Sequence, residues 1–286
     1  MSLWQPTTDR GRDFLSRIVE SPERALLAFD FDGTLSPMVD DPEAAVVSEG
    51  AREGLLRLSR QVAQVAIITG RPVAAVRRLA RLDEDDFAHL VVLGQYGVER
   101  LDCATGAVRS PEVGEAFREA VIEITALVEH LTKDEVALEG IHLEDKERAL
   151  GVHTRRAADP TGAFERLIEP VRAIAEEHGL QFEPGKFVLE VRESATSKAE
   201  ALREIVAEVD PRLVLMAGDD LGDIPAFEEL DRLAEQGLTT AALVSGPSER
   251  PELADHADLD AEGVDGVAEF LSWLADEITT KAARPQ

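Results

Sequence analysis

The sequence predicts a doubly wound α/β fold, in which helices pack on both faces of a parallel sheet, with an α+β segment inserted into it. Three observations lead to this prediction. Apolar runs alternate with helical patterns along most of the chain, the alternation stops between residues 103 and 193, and acidic or hydroxyl side chains follow several apolar runs. Continuous apolar runs are typical of strands that are buried on both faces, and their alternation with helices is typical of a parallel sheet.

Five apolar runs are predicted to be strands of this sheet. They cover residues 25–29, 62–69, 90–94, 212–218 and 239–246. Helical periodicity predicts helices over residues 48–61, 72–82, 196–209, 224–236 and 264–283. Ser197 and Glu200 have the spacing of a capping box, which indicates that one of these helices begins at Lys198.

Two amphipathic helices are predicted within the insert, over residues 112–131 and 159–179, and a pair of alternating strands follows each of them. In the second helix, Asp159 suits the N-cap, Pro160 suits the first helical position and Gly179 suits the residue beyond the end. The insert is therefore expected to form an α+β unit of its own.

The break in the alternation predicts two domains. A catalytic core is expected to comprise residues 1–102 and 194–286, and an inserted cap is expected to comprise residues 103–193. An insert of this size between core strands is where we expect a cap that covers an active site and determines substrate specificity.

The composition excludes several classes of function. The 286 residues include 57 acidic and 30 basic ones, a formal net charge of -27. Nucleic acids and anionic membrane surfaces require a basic footprint, so neither is an expected partner, and no apolar run approaches the roughly 20 residues that span a bilayer. The first residues lack the apolar core of a secretory signal, and Cys103 is the only cysteine. We therefore expect a cytoplasmic protein, and we also expect a monomer.

Chemically active side chains follow the predicted strands. In an open α/β sheet, ligands bind outside the carboxyl ends of the strands, so these side chains are expected to converge at one edge. They are Asp30, Asp32 and Thr34 after the first strand, Thr69, Gly70 and Arg71 after the second, Asp219, Asp220 and Asp223 after the fourth, and Lys198 at the start of a helix.

The carboxylates at this edge predict a bound cation, because like charges at short range disfavour joint ionisation. Oxygen ligands with open coordination positions suit Mg²⁺, which proteins hold through one or two carboxylates and a substrate phosphate. We therefore predict Mg²⁺ as the cofactor. The predicted ligands are Asp30, Asp32, Asp219 and Asp220.

A carboxylate that attacks phosphorus is the chemistry that this edge predicts. Asp30, the first residue after its strand, is the expected nucleophile and would form an aspartyl-phosphate. Asp32 is expected to protonate the leaving alcohol and then to activate water. The phosphoryl group is expected to bind to Thr69, Gly70 and Lys198, and Arg71 is expected to neutralise the anionic substrate.

The order of these motifs resembles that of the haloacid-dehalogenase superfamily. The stretches are "DFDGTL" at residues 30–35, "TGR" at residues 69–71, the lysine at the helix start, and "GDDLGD" at residues 218–223. The resemblance implies a Rossmann-like core with a cap inserted between the second and third motifs. An acid at the position of Asp32 is typical of the phosphatases and phosphomutases of this superfamily.

The insert narrows the resemblance to one family. The stretches "LEDKERALGVHTR" at residues 143–155 and "GKFVLEVR" at residues 185–192 are similar to cap signatures of the trehalose-6-phosphate phosphatases. This implies an enzyme of trehalose biosynthesis that removes phosphate from a small sugar phosphate. The residues that the resemblance implies for sugar binding are Glu144, Lys146, Arg155, Lys186 and Glu190.

The sequence departs from the family pattern in two places. The last motif commonly has Thr and Glu where this chain has Gly222 and Ile224. The loop after the third strand often has the pattern G-x-H-G, whereas this chain has Gln95 and Tyr96 between its glycines. Neither place holds the expected nucleophile, the acid/base residue or the ligand Asp219.

Three alternatives stay open from the sequence. The substrate is another sugar phosphate, such as sucrose phosphate or mannosyl-phosphoglycerate; or the protein is a phosphomutase; or it is a sugar-phosphate sensor without catalytic activity. Parallel assays on these substrates separate the first alternative, a requirement for a sugar bisphosphate reveals the second, and ligand binding without phosphate release reveals the third.

Overall fold

The structure is a computed structural model that describes residues 2–39, 41–83, 85–146, 148–193, 196–246 and 251–283. It forms two compact units. The core unit comprises Met1–Ser110 and Thr196–Gln286, and the second unit comprises Pro111–Ala195. The predicted cap begins at residue 103, eight residues earlier, and residues 194 and 195, where the predicted core resumes, lie outside the described residues.

Thirteen strands are present in the described residues. In chain order they are β1 (Trp4–Pro6), β2 (Ala25–Phe29), β3 (Gln64–Ile68), β4 (Leu90–Gly94), β5 (Glu99–Asp102), β6 (Ala107–Arg109), β7 (His142–Asp145), β8 (Ala149–His153), β9 (Gln181–Gly185), β10 (Val188–Arg192), β11 (Leu213–Gly218), β12 (Thr239–Ser245) and β13 (Leu259–Ala261).

The described chain has nine α-helices. They are α1 (Asp9–Glu20), α2 (Glu49–Leu58), α3 (Val73–Leu79), α4 (Glu115–Asp134), α5 (Pro160–Glu177), α6 (Lys198–Val209), α7 (Ile224–Glu235), α8 (Pro251–Ala254) and α9 (Gly263–Ala282). Each of the seven predicted helices and each of the nine predicted strands overlaps one of these elements, with ends that differ by a few residues.

The core unit contains a nine-stranded sheet in the order β1-β13-β12-β11-β2-β3-β4-β5-β6. Its six middle strands, from β13 to β4, are parallel, and antiparallel strands extend both edges. The prediction of an α/β fold with a parallel sheet is confirmed. Because β2 pairs with β11 on one side and with β3 on the other, its carboxyl end lies where the strand order reverses, the place where open α/β sheets bind ligands.

The core lies on both faces of this sheet, which explains the uninterrupted apolar runs. On β2, Leu27 and Phe29 pack with buried residues of α1, α2 and α9. Leu26 and Ala28 point to the opposite face and pack with buried residues of α6 and α7. A strand that is covered on both faces needs apolar side chains at every position.

Four short strands at or next to the edges of the sheet were not predicted, namely β1, β5, β6 and β13. Each has only three or four residues, and charged or polar residues interrupt each one, so none forms an apolar run. β6 pairs with β5, which pairs with β4. This pairing joins residues 103–110 to the core sheet, although the sequence assigned them to the insert.

The second unit is an antiparallel sheet in the order β7-β8-β10-β9 with two helices. Leu150, Val152, Leu189 and Val191 form a core with α4 and α5 on one face. Residues in the alternate positions therefore share the other face, where Glu144, Gly151 and Glu190 are neighbours across three strands. Asp159 caps α5 by accepting a hydrogen bond from the amide of Gly162, as predicted.

In the part of the chain that the structure describes, no helix combines the length and the apolar character needed to cross a membrane.

Candidate active site

Three buried charges meet at the carboxyl end of β2. The Nζ atom of Lys198 lies 2.9 Å from Oδ2 of Asp30 and 2.6 Å from Oδ1 of Asp223. Asp30 directly follows β2, and its backbone amide donates to the carbonyl of Ala217 at the end of β11. The capping box of Ser197 and Glu200 fixes the first residue of α6, so the position of the lysine follows from local sequence.

Burial governs the ionisation of these groups. Asp30 is 5% exposed, Lys198 is 7% exposed and Asp223 is fully buried. Burial raises the pKa of Asp30 well above its ordinary value, and Lys198 offsets part of this effect. Burial likewise raises the pKa of Asp223. Burial alone would lower the pKa of Lys198, but the two carboxylates outweigh it, so the pKa is raised and the lysine stays charged.

The loop after β11 turns the carboxylate of Asp223 back toward the site. Its Oδ2 atom accepts hydrogen bonds from the backbone amides of Asp219 and Asp220, at 3.0 and 3.1 Å. Asp220 instead caps the following turn, because its Oδ1 atom accepts from the amide of Gly222 at 2.8 Å. Gly218 is required here, since a Cβ atom at this position would collide with the side chain of Asp223.

The carboxylates of Asp30, Asp219 and Asp223 form a group that is able to hold a metal ion. One oxygen of each lies within 4.8 Å of the others. Asp219 reaches this place because Gly33, at φ +74°, leaves room where a Cβ atom would collide with its carboxylate. Among the described residues this is the group with metal-ligand spacing, and it includes Asp223, which was not a predicted ligand, whereas Asp220 lies outside it.

An all-oxygen group of this kind fits Mg²⁺. Hard oxygen ligands from a few carboxylates, with positions left for water or phosphate, are the usual environment of this ion. The buried hydroxyl of Thr34, which has no hydrogen-bond partner among the described residues, is a further polar atom beside Gly33.

Asp32 and Arg71 form a bidentate ion pair. The Nε atom of Arg71 lies 2.6 Å from Oδ2 of Asp32, and Nη2 lies 2.7 Å from Oδ1. The hydrogen bonds that Arg71 donates to Asp32 raise the pKa of Arg71. Asp32 therefore pairs with Arg71, the residue that was expected to neutralise the anionic substrate.

Thr69 and Gly70 lie in a loop that the segment after β4 holds in place. Thr69 is 2% exposed, and its hydroxyl accepts a hydrogen bond from the amide of Arg71 at 3.1 Å. Tyr96 donates its backbone amide to the carbonyl of Thr69, and its ring lies so close to Gly70 that a Cβ atom there would be 2.7 Å from the hydroxyl.

Tyr96 was not among the site residues predicted from the sequence. Its φ is +56° and that of Gln95 is +50°, so two successive residues with side chains adopt the left-handed conformation. Such strain is common at functional sites. The available signal was the departure from the G-x-H-G pattern, in which Tyr96 occupies the place of the histidine.

The polar face of the second sheet brings together three predicted sugar-binding residues. Lys146 Nζ lies 2.8 Å from Glu190 Oε2 and 3.6 Å from Glu144 Oε2. His153 also joins this group, with Nε2 at 2.9 Å from Glu144. Burial by itself would raise the pKa of Glu144, but Lys146 and His153 together lower it. Arg155 and Lys186 are exposed in the turns that follow β8 and β9.

A family model described as trehalose-phosphatase matches residues 28–261. The chain belongs to the trehalose-phosphatase family. The match includes every predicted site residue, from Asp30 to Asp220, in both units.

Curated relatives match most of the chain at modest identity. The chain is 30% identical over 264 residues to a trehalose-phosphate phosphatase of Mycobacterium marinum, a match that covers 90% of this chain and 63% of that protein. It is 32% identical over 263 residues to a Mycobacterium tuberculosis protein named as an uncharacterized glycosyl hydrolase, covering 89% of this chain and 18% of that protein. The chain therefore spans less than two thirds of the length of either relative.

A solved structure supports the fold. The C-terminal domain of trehalose-6-phosphate phosphatase from Candida albicans superposes with a TM-score of 0.72 at 23% identity, over 95% of this chain and 98% of that one. At this identity the likeness concerns the fold alone.

Proposed function

We propose that this protein is a Mg²⁺-dependent phosphatase that hydrolyses trehalose 6-phosphate to trehalose and phosphate. The observation that carries the proposal is the buried group of Asp30, Lys198 and Asp223 at the switch point of the sheet, in a chain of the trehalose-phosphatase family. A site that only binds a sugar phosphate has no need of a buried carboxylate beside a lysine at the end of the central strand.

In the first half of the proposed reaction, a carboxylate oxygen of Asp30 attacks phosphorus. The bond from phosphorus to the sugar oxygen breaks, and Asp32 gives its proton to that oxygen. In the second half, Asp32 takes a proton from water, whose oxygen attacks phosphorus and releases Asp30 and phosphate. Lys198, Thr69 and Gly70 bind the phosphoryl oxygens, since phosphoryl transfer depends mainly on positioning and charge.

Asp30, Asp219 and the backbone carbonyl of Asp32 are the proposed ligands of Mg²⁺. When bound, the ion neutralises phosphate oxygens and carboxylates that would otherwise repel each other. Asp223 lies in the same carboxylate group, which supports a role in this site. The cap made by Asp220 on the turn at Gly222 supports a structural role for that residue, in place of the predicted ligand role.

The second unit is proposed to determine the substrate. Its polar face carries Glu144, Lys146 and Glu190, which offer paired acceptors and donors for sugar hydroxyls. Arg155 and Lys186 are proposed to add donors from the adjacent turns. The core unit is proposed to carry the chemistry, so the predicted division into a catalytic core and a specificity cap remains part of the proposal.

We also propose that the protein acts in the cytoplasm as a monomer. The single cysteine is compatible with a reducing compartment, and a net charge of -27 opposes self-association. Size-exclusion chromatography with light scattering tests the monomer, since a mass near 31.1 kDa is expected.

Phosphate release from trehalose 6-phosphate with Mg²⁺ tests the function. Glucose 6-phosphate and sucrose 6-phosphate serve as parallel substrates, and EDTA and the Asp30→Asn variant serve as controls. We expect selective release that both controls abolish. Release from another sugar phosphate would keep the chemistry and overturn the assignment of the sugar-binding residues, whereas binding without release would favour a sensor.

A further inference from the structure

Hydrogen bonds and a ring contact hold the guanidinium group of Arg71 beside Asp32. Besides the two hydrogen bonds to Asp32, Nη1 of Arg71 donates to the carbonyl of Pro42 at 2.9 Å. The guanidinium carbon lies 5.5 Å from the centroid of the Phe31 ring, within the range of a cation–π interaction. The arginine is therefore held on three sides, with 17% of its side chain exposed.

The two hydrogen bonds between Arg71 and Asp32 orient the carboxylate of Asp32. Two parallel N–H···O bonds fix both the position and the plane of a carboxylate, which one point charge does not do. Asp32 is the more exposed partner, with 32% of its side chain exposed against 17% for Arg71.

The backbone alone does not orient this carboxylate. A tight turn holds the chain around Asp32, since the amide of Gly33 donates to the carbonyl of Ser36 at 2.7 Å, and the amides of Leu35 and Ser36 donate to the carbonyl of Phe31. The side-chain torsions of an aspartate remain free in such a turn and populate several rotamers. Arg71 removes this freedom.

We propose that Arg71 is a positioning residue, which orients the carboxylate of Asp32 for proton transfer and does not bind the substrate. The inference rests on the proposed phosphatase function. Asp32 must give a proton to the sugar oxygen as the phosphorus–oxygen bond breaks and must later take one from the attacking water. Both transfers require the same carboxylate to point at the same place, and an error of about 1 Å in such a position costs about 100-fold in rate.

Two variants of Arg71 and a matched control test the proposal. Arg71→Lys keeps the positive charge but loses the planar guanidinium that makes two hydrogen bonds to Asp32. Arg71→Met removes both the charge and the hydrogen bonds. Arg77→Lys is the control, because Arg77 on α3 forms an ion pair with Asp83 at 2.7 Å and lies outside the catalytic groups. Each protein is assayed on trehalose 6-phosphate and on p-nitrophenyl phosphate, whose leaving group departs as a stable anion and needs no proton.

We expect kcat/KM of Arg71→Lys for trehalose 6-phosphate to fall about 100-fold, the usual cost of a misplaced catalytic group. For p-nitrophenyl phosphate, kcat/KM of the same variant is expected to stay within about threefold of the wild type, because this parameter ends with the departure of a leaving group that needs no proton donor. Its kcat is expected to fall on both substrates, since Asp32 must still activate water. Arg71→Met is expected to follow the same pattern, and Arg77→Lys is expected to match the wild type on both substrates. An equal loss of kcat/KM on both substrates would overturn the proposal, since it would indicate a contact with the shared phosphate.

A binding measurement separates positioning from a contact with the sugar. In the non-reacting Asp30→Asn background, we expect the Kd for trehalose 6-phosphate to change less than about twofold when Arg71→Lys is added. A loss of about tenfold or more in this affinity would overturn the proposal and restore the substrate-binding role. If the wild type releases no phosphate from trehalose 6-phosphate, the proposed function itself has failed, and that result is distinct from either outcome.

Discussion

Lys198 shows at the residue scale how burial changes the role of a common side chain. An exposed helix lysine would contribute little, but this one lies between the carboxylates of Asp30 and Asp223. Each of the three charges would be costly to bury alone, and the lysine offsets part of this cost for both carboxylates. The sequence predicted that Lys198 and Asp30 belong to one site. It did not predict the ion pair between Lys198 and Asp223, because that pair depends on the direction of the Asp223 carboxylate.

Removal of this lysine is expected to abolish activity and to destabilise the protein in a pH-dependent way. Lys198→Met leaves two buried carboxylates without a cation, which costs about 3–5 kcal/mol near neutral pH. Burial raises the pKa values of Asp30 and Asp223 in the folded state even with the lysine present, so ionisation of these carboxylates costs more in the folded chain than in the unfolded chain. Loss of the lysine raises these pKa values further, so the free energy of unfolding should fall as the pH rises.

Urea unfolding in EDTA measures this effect at a lower and a higher pH, near pH 5 and near pH 8. The difference in the free energy of unfolding between wild type and Lys198→Met should be larger at the higher pH. Lys281→Met, at an exposed position of α9, is the control and should change little at either pH. An equal destabilisation at both pH values would contradict the role assigned to the carboxylates.

Local sequence signals placed most helices and strands because they act within a few residues. The capping box at Ser197 starts α6, and Ser48 starts α2 by accepting from the amide of Ala51. Both are N-caps, but α6 begins with the buried lysine of the candidate active site and α2 does not. The start of α6 therefore offers a test of the role that we propose for Lys198.

The two serines therefore form a matched pair at the element scale. Ser197→Ala and Ser48→Ala should each lower the free energy of unfolding by about 1 kcal/mol, the usual cost of a lost N-cap. Only Ser197→Ala should also lower kcat on trehalose 6-phosphate, because the first turn of α6 holds Lys198. A loss of kcat in both variants, or in neither, would show that helix capping does not position the lysine.

At the scale of the whole molecule, each unit has its own core. The second unit buries residues such as Phe117, Leu150 and Leu189 between its sheet and its two helices. The core unit buries its apolar side chains on both faces of the larger sheet. A segment with a separate core and antiparallel pairing within itself meets the usual definition of a domain.

Residues 111–193 are therefore expected to fold without the rest of the chain. The isolated segment should show the far-ultraviolet circular dichroism of a mixed α/β protein and should unfold in a single cooperative transition in urea. The substitution Leu189→Asp, which places a charge in its core, is the control that should abolish the transition. A spectrum without helix or strand in the unsubstituted segment would contradict the independence of this core.

Local sequence patterns predicted the fold class, five of the six parallel strands of the core sheet, and the caps of α5 and α6, because periodicity and capping act within a few residues. Motif spacing also selected Asp30, Asp32 and Lys198 as candidates for the chemistry. The tertiary structure decided which side chains face each other. It brought Asp223 to Lys198, joined Arg71 to Asp32, and added four strands that are too short to show a pattern. These outcomes depend on contacts between segments distant in the chain, and no local pattern records the direction in which a side chain points after folding.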